Sequence, residues 1–497
     1  MQPVLPLTRD LPLFDAAQTR ALEQRASAAL PPHTLMRRAG ESVARLALAL
    51  APHAQRIWIA AGPGNNGGDG LEAAIQLLRF GKTIEVSLIG DAAALPADAA
   101  DAYARARAAG VRIATSVEPV EPPDLAIDAL LGVGASRAPA GPIAECIGHL
   151  NAVEGLRLAI DLPSGLHAGT GQALGADCVR ASHTLALLTL KPGLFTGLGR
   201  DQAGRVWFDT LHVDASDAGP CAWLSGTDMP RAAPRRHAQH KGSFGDVAIV
   251  GGAPGMGGAA LLAARAAHAA GAGRVYVDLL DRTPGAPRVD LLRPELMFRD
   301  DWVRASGEAL ARTTVVCGCG GADAVRAPLP RLLSVARRLV LDADALNALA
   351  TDASLATLLR ARAARGHASV LTPHPLEAAR LLACTTDQVQ ADRLRAAAEL
   401  ANRFACVVVL KGSGSVLAAP NAVPRINSTG NAALATAGTG DVLAGWLAGR
   451  WAQRAGDDAA TGFAVARQAV AEHGAAAEPP PPGALRAGDL IERLAQR

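Results

Sequence analysis

The sequence predicts an α/β protein built as two domains in series, a three-layer domain with a parallel sheet covered on both faces followed by a second α/β domain. Three observations carry this prediction. Short apolar runs without polar alternation recur along the chain, as strands buried on both faces require. Each run meets a glycine-bearing loop and then a stretch with helical apolar spacing, the rhythm of a βαβ unit. The rhythm breaks once, over a stretch rich in Pro, Gly, Ser and Asp, and then restarts. A length of 497 residues allows about two to four domains at roughly 150 residues each.

Arg56–Ala61 is the first clear strand. The loop Gly62–Gly70 (GPGNNGGDG) follows, and then a helix over LEAAIQLLRF that ends at Gly81. Lys82–Ile89, Leu125–Leu131, Leu156–Asp161 and His183–Leu190 read as further strands. The break lies at Asp214–Pro234, with the linker at residues 216–233 between domains over 1–215 and 234–497. After it, Asp246–Gly251 runs into a glycine loop, an Ala/Leu helix to Gly271 and the strand RVYVDLL. Thr313–Gly318, Arg338–Asp344, Ser369–Thr372 and Cys406–Lys411 extend the second sheet. A Pro-rich excursion at Ala475–Gly483 precedes a short final helix. No repeat of solenoid length is present.

Composition narrows the function. Hydrophobic residues make up 49% and charged residues 19%, enough for sizeable cores and against broad disorder. Aromatics at 3% are too sparse for base-stacking platforms. A net charge of +3 is too small for a polyanion-binding field. Nucleic acid is therefore not an expected partner, and small molecules are. There is no apolar run long enough for a membrane span, and Pro and acids stand where a signal peptide needs an apolar core. Seven cysteines without a C-x-x-C pair suggest free thiols and a cytoplasmic setting. The lysines are Lys82, Lys191, Lys241 and Lys411 in a chain otherwise served by Arg.

Gly62, Gly64 and Gly67 formally satisfy G-x-G-x-x-G, with Glu85 further on. Pro63 lies inside the turn, however, and Asn65, Asn66 and Asp69 crowd the phosphate edge. The first domain is thus Rossmann-like without the usual dinucleotide fingerprint. Asp128 sits in an apolar strand, which is costly unless it is paired or coordinated. Asp161 and Ser164 belong to DLPSG at the end of another strand. These clusters fall at the carboxyl ends of parallel strands, where open sheets bind ligands. Asn66, Asp128 and Ser164 offer oxygen only, which suits a hard cation rather than zinc; a structural hydrogen-bond network is the alternative.

With KPGL (Lys191–Leu194), these motifs resemble the epimerase domain of NAD(P)H-hydrate repair enzymes, over about residues 10–215. The resemblance implies that Asn65, Asn66, Gly67, Gly68 and Asp69 hold a hydrated nicotinamide nucleotide. Gly132, Val133, Gly134, Ala135, Ser136, Arg137 and Ala138 join them. It implies potassium on Asn66, Asp128 and Ser164. It further implies that Asp161 is the acid/base in exchanging the R and S hydrates at C6. The same fold also occurs as a non-catalytic binding module.

The strongest chemical signal in the second half is Gly438-Thr439-Gly440-Asp441, ahead of the helical VLAGWLAG. Amides at a helix start make an anion site, and an adjacent Asp can take a proton from an attacking hydroxyl. Phosphoryl transfer needs that pairing; a plain N-cap turn is the bland alternative. Lys411, beside Gly412–Ser415, reads as a phosphate contact or a solvated lysine. His374 sits in a strand-to-helix turn, where capping is the ordinary role. His237 and His240 have no further ligand at suitable spacing and do not make a metal pair.

GTGD at a helix start resembles the ribokinase-like fold. KGSFGD, GGAPGMGGA, TPH, KGSGS and NSTGNAALATAGTGD in that order resemble the ADP- or ATP-dependent NAD(P)H-hydrate dehydratases, over about residues 231–497. The resemblance implies that Lys411, Gly412, Ser413, Gly414 and Ser415 bind ADP, the co-substrate, with Asn431, Gly438, Thr439 and Gly440. Ala253, Gly320, His374 and Asp441 would contact the S hydrate. The terminal phosphoryl would pass to the C6 hydroxyl with help from Asp441, and phosphate would then leave, giving AMP. Mg²⁺ is expected from phosphate chemistry, with no ligands assigned, and a homo-oligomer is expected. Leu376 stands where the family has Gly, Ala432 where it has Pro, and CGCGG (Cys317–Gly321) is a looser turn than usual. A small-molecule kinase fused to a binding module is the competing reading, and a non-enzymatic scaffold a third.

Overall fold

The computed structural model describes residues 1–228 and 234–497. It separates into two compact units. One comprises Met1–Leu7 and Leu11–Leu224, the other Thr8–Asp10 and Ser225–Arg497.

The first unit holds a parallel sheet in the order Arg112–Ala114, Thr83–Leu88, Arg56–Ala61, Leu125–Ala129, Leu156–Ile160, His183–Leu187 and Arg205–Asp209. Gln2–Pro3 adds an antiparallel edge. Both faces are buried. Ile57, Ile59 and Ala61 enter one apolar cluster, while Trp58 and Ala60 enter the other, following the strand period of two. The chain reverses its strand order between Arg56–Ala61 and Leu125–Ala129. That switch opens a crevice at the carboxyl ends of the two strands.

The second unit repeats the plan. Met297–Phe298, Arg274–Leu279, Asp246–Gly251, Thr313–Cys317, Arg338–Leu341, Ser369–Leu371 and Val407–Leu410 lie parallel in that order. Val416–Ala418 and Arg425–Asn427 continue antiparallel. Val247 and Ile249 face one core, Ala248 and Val250 the other. The order reverses between Asp246–Gly251 and Thr313–Cys317, giving a second crevice.

Several boundaries differ from the sequence expectation. The strands expected to end at Leu131, Asp161, Leu190, Gly318, Asp344, Thr372 and Lys411 end earlier, at Ala129, Ile160, Leu187, Cys317, Leu341, Leu371 and Leu410. The expected loop Gly62–Gly70 is largely helix, since the helix runs Asn65–Arg79. Glycine makes this possible: a Cβ on Gly67 would stand 2.0 Å from the Gly62 carbonyl oxygen. Likewise Gly438 caps the helix Thr439–Ala452, and Asp441 lies in its first turn rather than ahead of it. Within the expected linker, Ala222–Ser225 is a strand that pairs antiparallel with Leu11–Leu13; residues 229–233 of it lie outside the described residues. Among the described residues no helix is long and apolar enough to cross a membrane.

Candidate active sites

The first crevice opens into a cavity of about 490 Å³. Asn65, Asn66, Asp69, Gly132, Val133, Gly134, Ala135 and Asp161 all line it. Gly67 and Gly68 are buried in the helix and do not line it, nor do the exposed Ser136, Arg137 and Ala138. The sequence reading missed Thr19, Arg20 and Glu23 on the helix Ala16–Ala29, together with Asp98 and Lys191. Helical spacing and the acid-base types of Arg20 and Glu23 were the available signals.

Asp161 follows the last strand residue and adopts φ +66°, a left-handed conformation that costs energy outside glycine. Its N–H donates to Leu185 O at 2.8 Å, and its Oδ1 accepts from Leu187 N at 3.2 Å. Lys191 completes the arrangement. Its side chain is fully buried, and its ammonium donates to Asp161 Oδ1. The same ammonium donates to Leu187 O and Thr189 O, both at 2.9 Å. Three acceptors match the three N–H bonds of an ammonium, so Lys191 fixes the Asp161 carboxylate. Two further acids crowd this wall. Burial, and then the nearby Asp161, push Asp69 well above the ordinary carboxylate range. The same two causes raise Glu23.

Behind the cavity, Ser164 N–H and Oγ–H donate to Asp128 at 2.7 and 2.6 Å. Leu130 N–H adds a third donor at 3.2 Å. Asp128 is buried, and burial lifts its carboxyl to about 6 against these hydrogen bonds. Asn66 Nδ2 is buried without a hydrogen-bond partner. A buried carboxylate held by hydrogen bonds fits a hard monovalent cation through its oxygens, and from Asn66 only the amide Oδ1 suits one, because the unpartnered Nδ2 is a donor. It also satisfies the alternative of a hydrogen-bonded network for Asp128 and Ser164.

In the second unit the crevice loops meet directly: Ala253 N–H donates to Gly320 O at 2.7 Å and Gly252 N–H to Cys319 O at 2.9 Å. Asp342 follows the strand Arg338–Leu341, and Lys411 follows Val407–Leu410. Lys411 Nζ lies 2.7 Å from Asp342 Oδ1. Burial opposes the lysine's charge, but Asp342, then Glu377, hold its pKa above the ordinary value. The helix Thr439–Ala452 points its N-terminus at this pair; a Cβ on Gly440 would stand 3.1 Å from Lys411 Nζ. The side-chain donor atoms of Cys319, Asp342 and Asp441 lie within 4.8 Å of one another. Burial, followed by Asp342, raises Asp441 to about 6, a value suited to a base near neutral pH. The Cys319 sulfur and the ammonium on Asp342 make this cluster a poor cradle for Mg²⁺, which prefers oxygen and water.

Other expected contacts are engaged within the fold. His374 caps the helix Pro375–Leu382 by accepting from Leu376 N and Glu377 N, and its Nε2 lies 3.2 Å from Glu377 Oε1. Thr439 Oγ1 donates to Leu434 O at 2.8 Å and Thr436 O at 2.9 Å. Asn431 caps the turn at Ala433 and donates to Ala477 O. Ser415 Oγ donates to Gly412 O at 3.2 Å.

Residues 32–193 match the family described as YjeF-related protein N-terminus. Residues 247–493 match NAD(P)H-hydrate dehydratase. The bifunctional NAD(P)H-hydrate repair enzyme Nnr of Escherichia coli is 37% identical over 90% of this chain and 85% of its own length. The bifunctional NAD(P)H-hydrate repair enzyme of Leishmania braziliensis is 36% identical over 94% and 89%. Among solved structures, the ADP/ATP-dependent NAD(P)H-hydrate dehydratase from Bacillus subtilis is 28% identical, covering 53% of this chain and 92% of that one at a TM-score of 0.42. With one family matched on each crevice-bearing unit, and both together in relatives that run nearly the whole length, the chain belongs to the bifunctional NAD(P)H-hydrate repair enzymes.

Proposed function

We propose that the first unit exchanges the R and S forms of hydrated NADH and NADPH, and that the second dehydrates the S form at the expense of ADP. The observation that carries this is a carboxylate at the carboxyl-end crevice of each sheet: Asp161, held by the buried Lys191, and Asp441, clustered with the Asp342 that Lys411 pairs with. Asp161 is the acid/base at C6 of the hydrate, with its orientation fixed by Lys191. Asn66, Asp128 and Ser164 would hold potassium, which supplies fixed positive charge near the substrate. Asp441 accepts the proton of the C6 hydroxyl as the terminal phosphoryl of ADP is transferred to it. The C6 oxygen forms a bond to the terminal phosphorus as the bond from that phosphorus to the bridging oxygen of ADP breaks, and AMP leaves. The C6–O bond then breaks, phosphate leaves far more readily than hydroxide would, and loss of a C5 proton to solvent restores the dihydropyridine. Lys411 and the amides of Gly412–Gly414 and Gly438–Gly440 face the phosphates. Mg²⁺ would be carried chiefly by those phosphates. Seven free thiols suit a reducing compartment such as the cytoplasm.

The test mixes purified protein with both hydrate epimers, K⁺, Mg²⁺ and ADP, and follows the return of dihydronicotinamide absorbance. Wild type is expected to recover the whole mixture. Asp161→Ala is expected to recover the S fraction rapidly and the R fraction slowly. No nucleotide-dependent recovery in wild type would favour the kinase reading instead.

A further inference from the structure

The epimerase cavity is acidic, yet its proposed substrate carries a diphosphate. Glu23, Asp69, Asp98 and Asp161 line it against Arg20 and Lys191. Lys191 is fully engaged by Asp161 and two carbonyls. Arg20 is different. It is exposed at the cavity wall, and no hydrogen bond or ion pair ties it down among the described residues. Arg20 shares one face of the helix Ala16–Ala29 with Thr19, Glu23 and Ser27, all of which line the cavity. Its guanidinium reaches across to the opposing loop, where a Cβ on Gly134 would come within 3.0 Å of Arg20 Nη2.

The same cavity carries a second polar group awaiting an acceptor. Asn66 is nine-tenths buried, lines the cavity, and its Nδ2 has no partner. It stands in the first turn of the 15-residue helix Asn65–Arg79, whose N-cap Gly64 provides no side-chain cap. Two sets of donors thus face one acidic cavity: a guanidinium on one wall, and an amide with a helix N-terminus on another.

We infer that Arg20 is the substrate-anchoring residue of this site, taking the diphosphate of the hydrated dinucleotide against the N-terminus of Asn65–Arg79. The inference rests on the epimerase reading above. Guanidinium binds phosphate through paired, charge-assisted hydrogen bonds, and a planar fork needs less ordering than a lysine. Arg20 takes no part in the proton transfers at C6, so its removal weakens binding and leaves the chemical step intact.

The experiment compares wild type, Arg20→Ala and Arg20→Lys on hydrated NADH and on hydrated reduced nicotinamide riboside, which has no phosphate. Epimer exchange is read by separating R and S forms, and the dehydratase activity of the same preparations reports folding. The expected result is a KM for hydrated NADH raised about tenfold or more in Arg20→Ala, as loss of one charged hydrogen-bonded contact implies, with kcat within about twofold. Arg20→Lys recovers part of the loss. On the riboside, wild type and Arg20→Ala behave alike. An unchanged KM for hydrated NADH, or an equal loss on both substrates, overturns the assignment. A wild-type chain that fails to exchange the epimers of either substrate overturns the epimerase reading itself, and that failure appears before any variant is compared.

Discussion

Lys411 and Asp342 each follow the last residue of a strand, and the two strands are not neighbours. The strand Ser369–Leu371 lies between them, and the 2.7 Å ion pair bridges its carboxyl end. Asp342 is almost wholly buried and Lys411 is one-fifth exposed. Replacing Lys411 by Met leaves a buried carboxylate without its counter-charge, which costs about 3–5 kcal/mol. A lowered Tm of the second unit's transition is expected, together with a loss of nucleotide binding. Adding Asp342→Asn to Lys411→Met is expected to restore most of the stability and none of the binding. Calorimetry with and without ADP reads both.

With Asp441 proposed as the base, it is expected to set the acid side of the dehydratase profile. Its carboxyl is raised to about 6 by burial and by Asp342, and the base form is the active one. The rate constant kcat/KM is therefore expected to rise with pH through about 6 and then level off. Asp441→Asn removes the base, and a drop of roughly 10²–10⁴ is expected, with epimer exchange unchanged. An Asn variant within tenfold of wild type would sink the base assignment.

Asp161 and Lys191 act as one device and separate by different assays. Asp161→Asn is expected to slow epimer exchange by at least about 10². Lys191→Met leaves Asp161 without its cation, so a stability loss of about 3 kcal/mol or more accompanies the loss of exchange. Urea unfolding followed at the first unit distinguishes the two variants. S-form dehydration, which needs neither residue, serves as the internal control.

His473 makes folding pH-dependent. It is buried under the helix Thr439–Ala452 with Nε2 at 2.9 Å from Thr439 O. Burial, then the pull of that hydrogen bond in the opposite sense, leaves its pKa at about 4. The unfolded chain titrates this histidine near its ordinary value, so unfolding takes up a proton between about pH 4 and 6.5. Its contribution to stability is complete above that window and falls as pH drops through it, by about 3 kcal/mol in all. His473→Gln is expected to flatten the slope of stability against pH in this range. An unchanged slope would show that the histidine titrates equally in both states.

Fold and chemistry were legible to different depths. Apolar runs located the strands of both sheets, because two-sided burial leaves a plain pattern. The ends were misjudged where they matter most. Asp161, Asp342 and Lys411 were counted as strand residues, yet each has left the ladder and turned its side chain into a crevice. A polar residue at the close of an apolar run is ambiguous in sequence, and only its partner decides. Those partners stand far off: Lys191 is 30 positions from Asp161, and Lys411 is 69 from Asp342. Motif spacing does not report such pairings. The helix Ala16–Ala29 was missed for a related reason, since its cavity face reads as an ordinary charged surface.

The scarcity of lysine has a practical consequence. Lys191 is sealed in the fold, Lys411 is held by Asp342, and the largely buried Lys82 donates to Pro52 O at 3.1 Å. That leaves Lys241, exposed on the short turn Lys241–Phe244, as the open side-chain amine. An acylating reagent therefore meets a 497-residue chain that behaves as though it had a single lysine. A dye or tether can be placed there without mutagenesis. Slow secondary labelling at Lys411 becomes a clock for how often the nucleotide crevice opens, and added ADP should stop it.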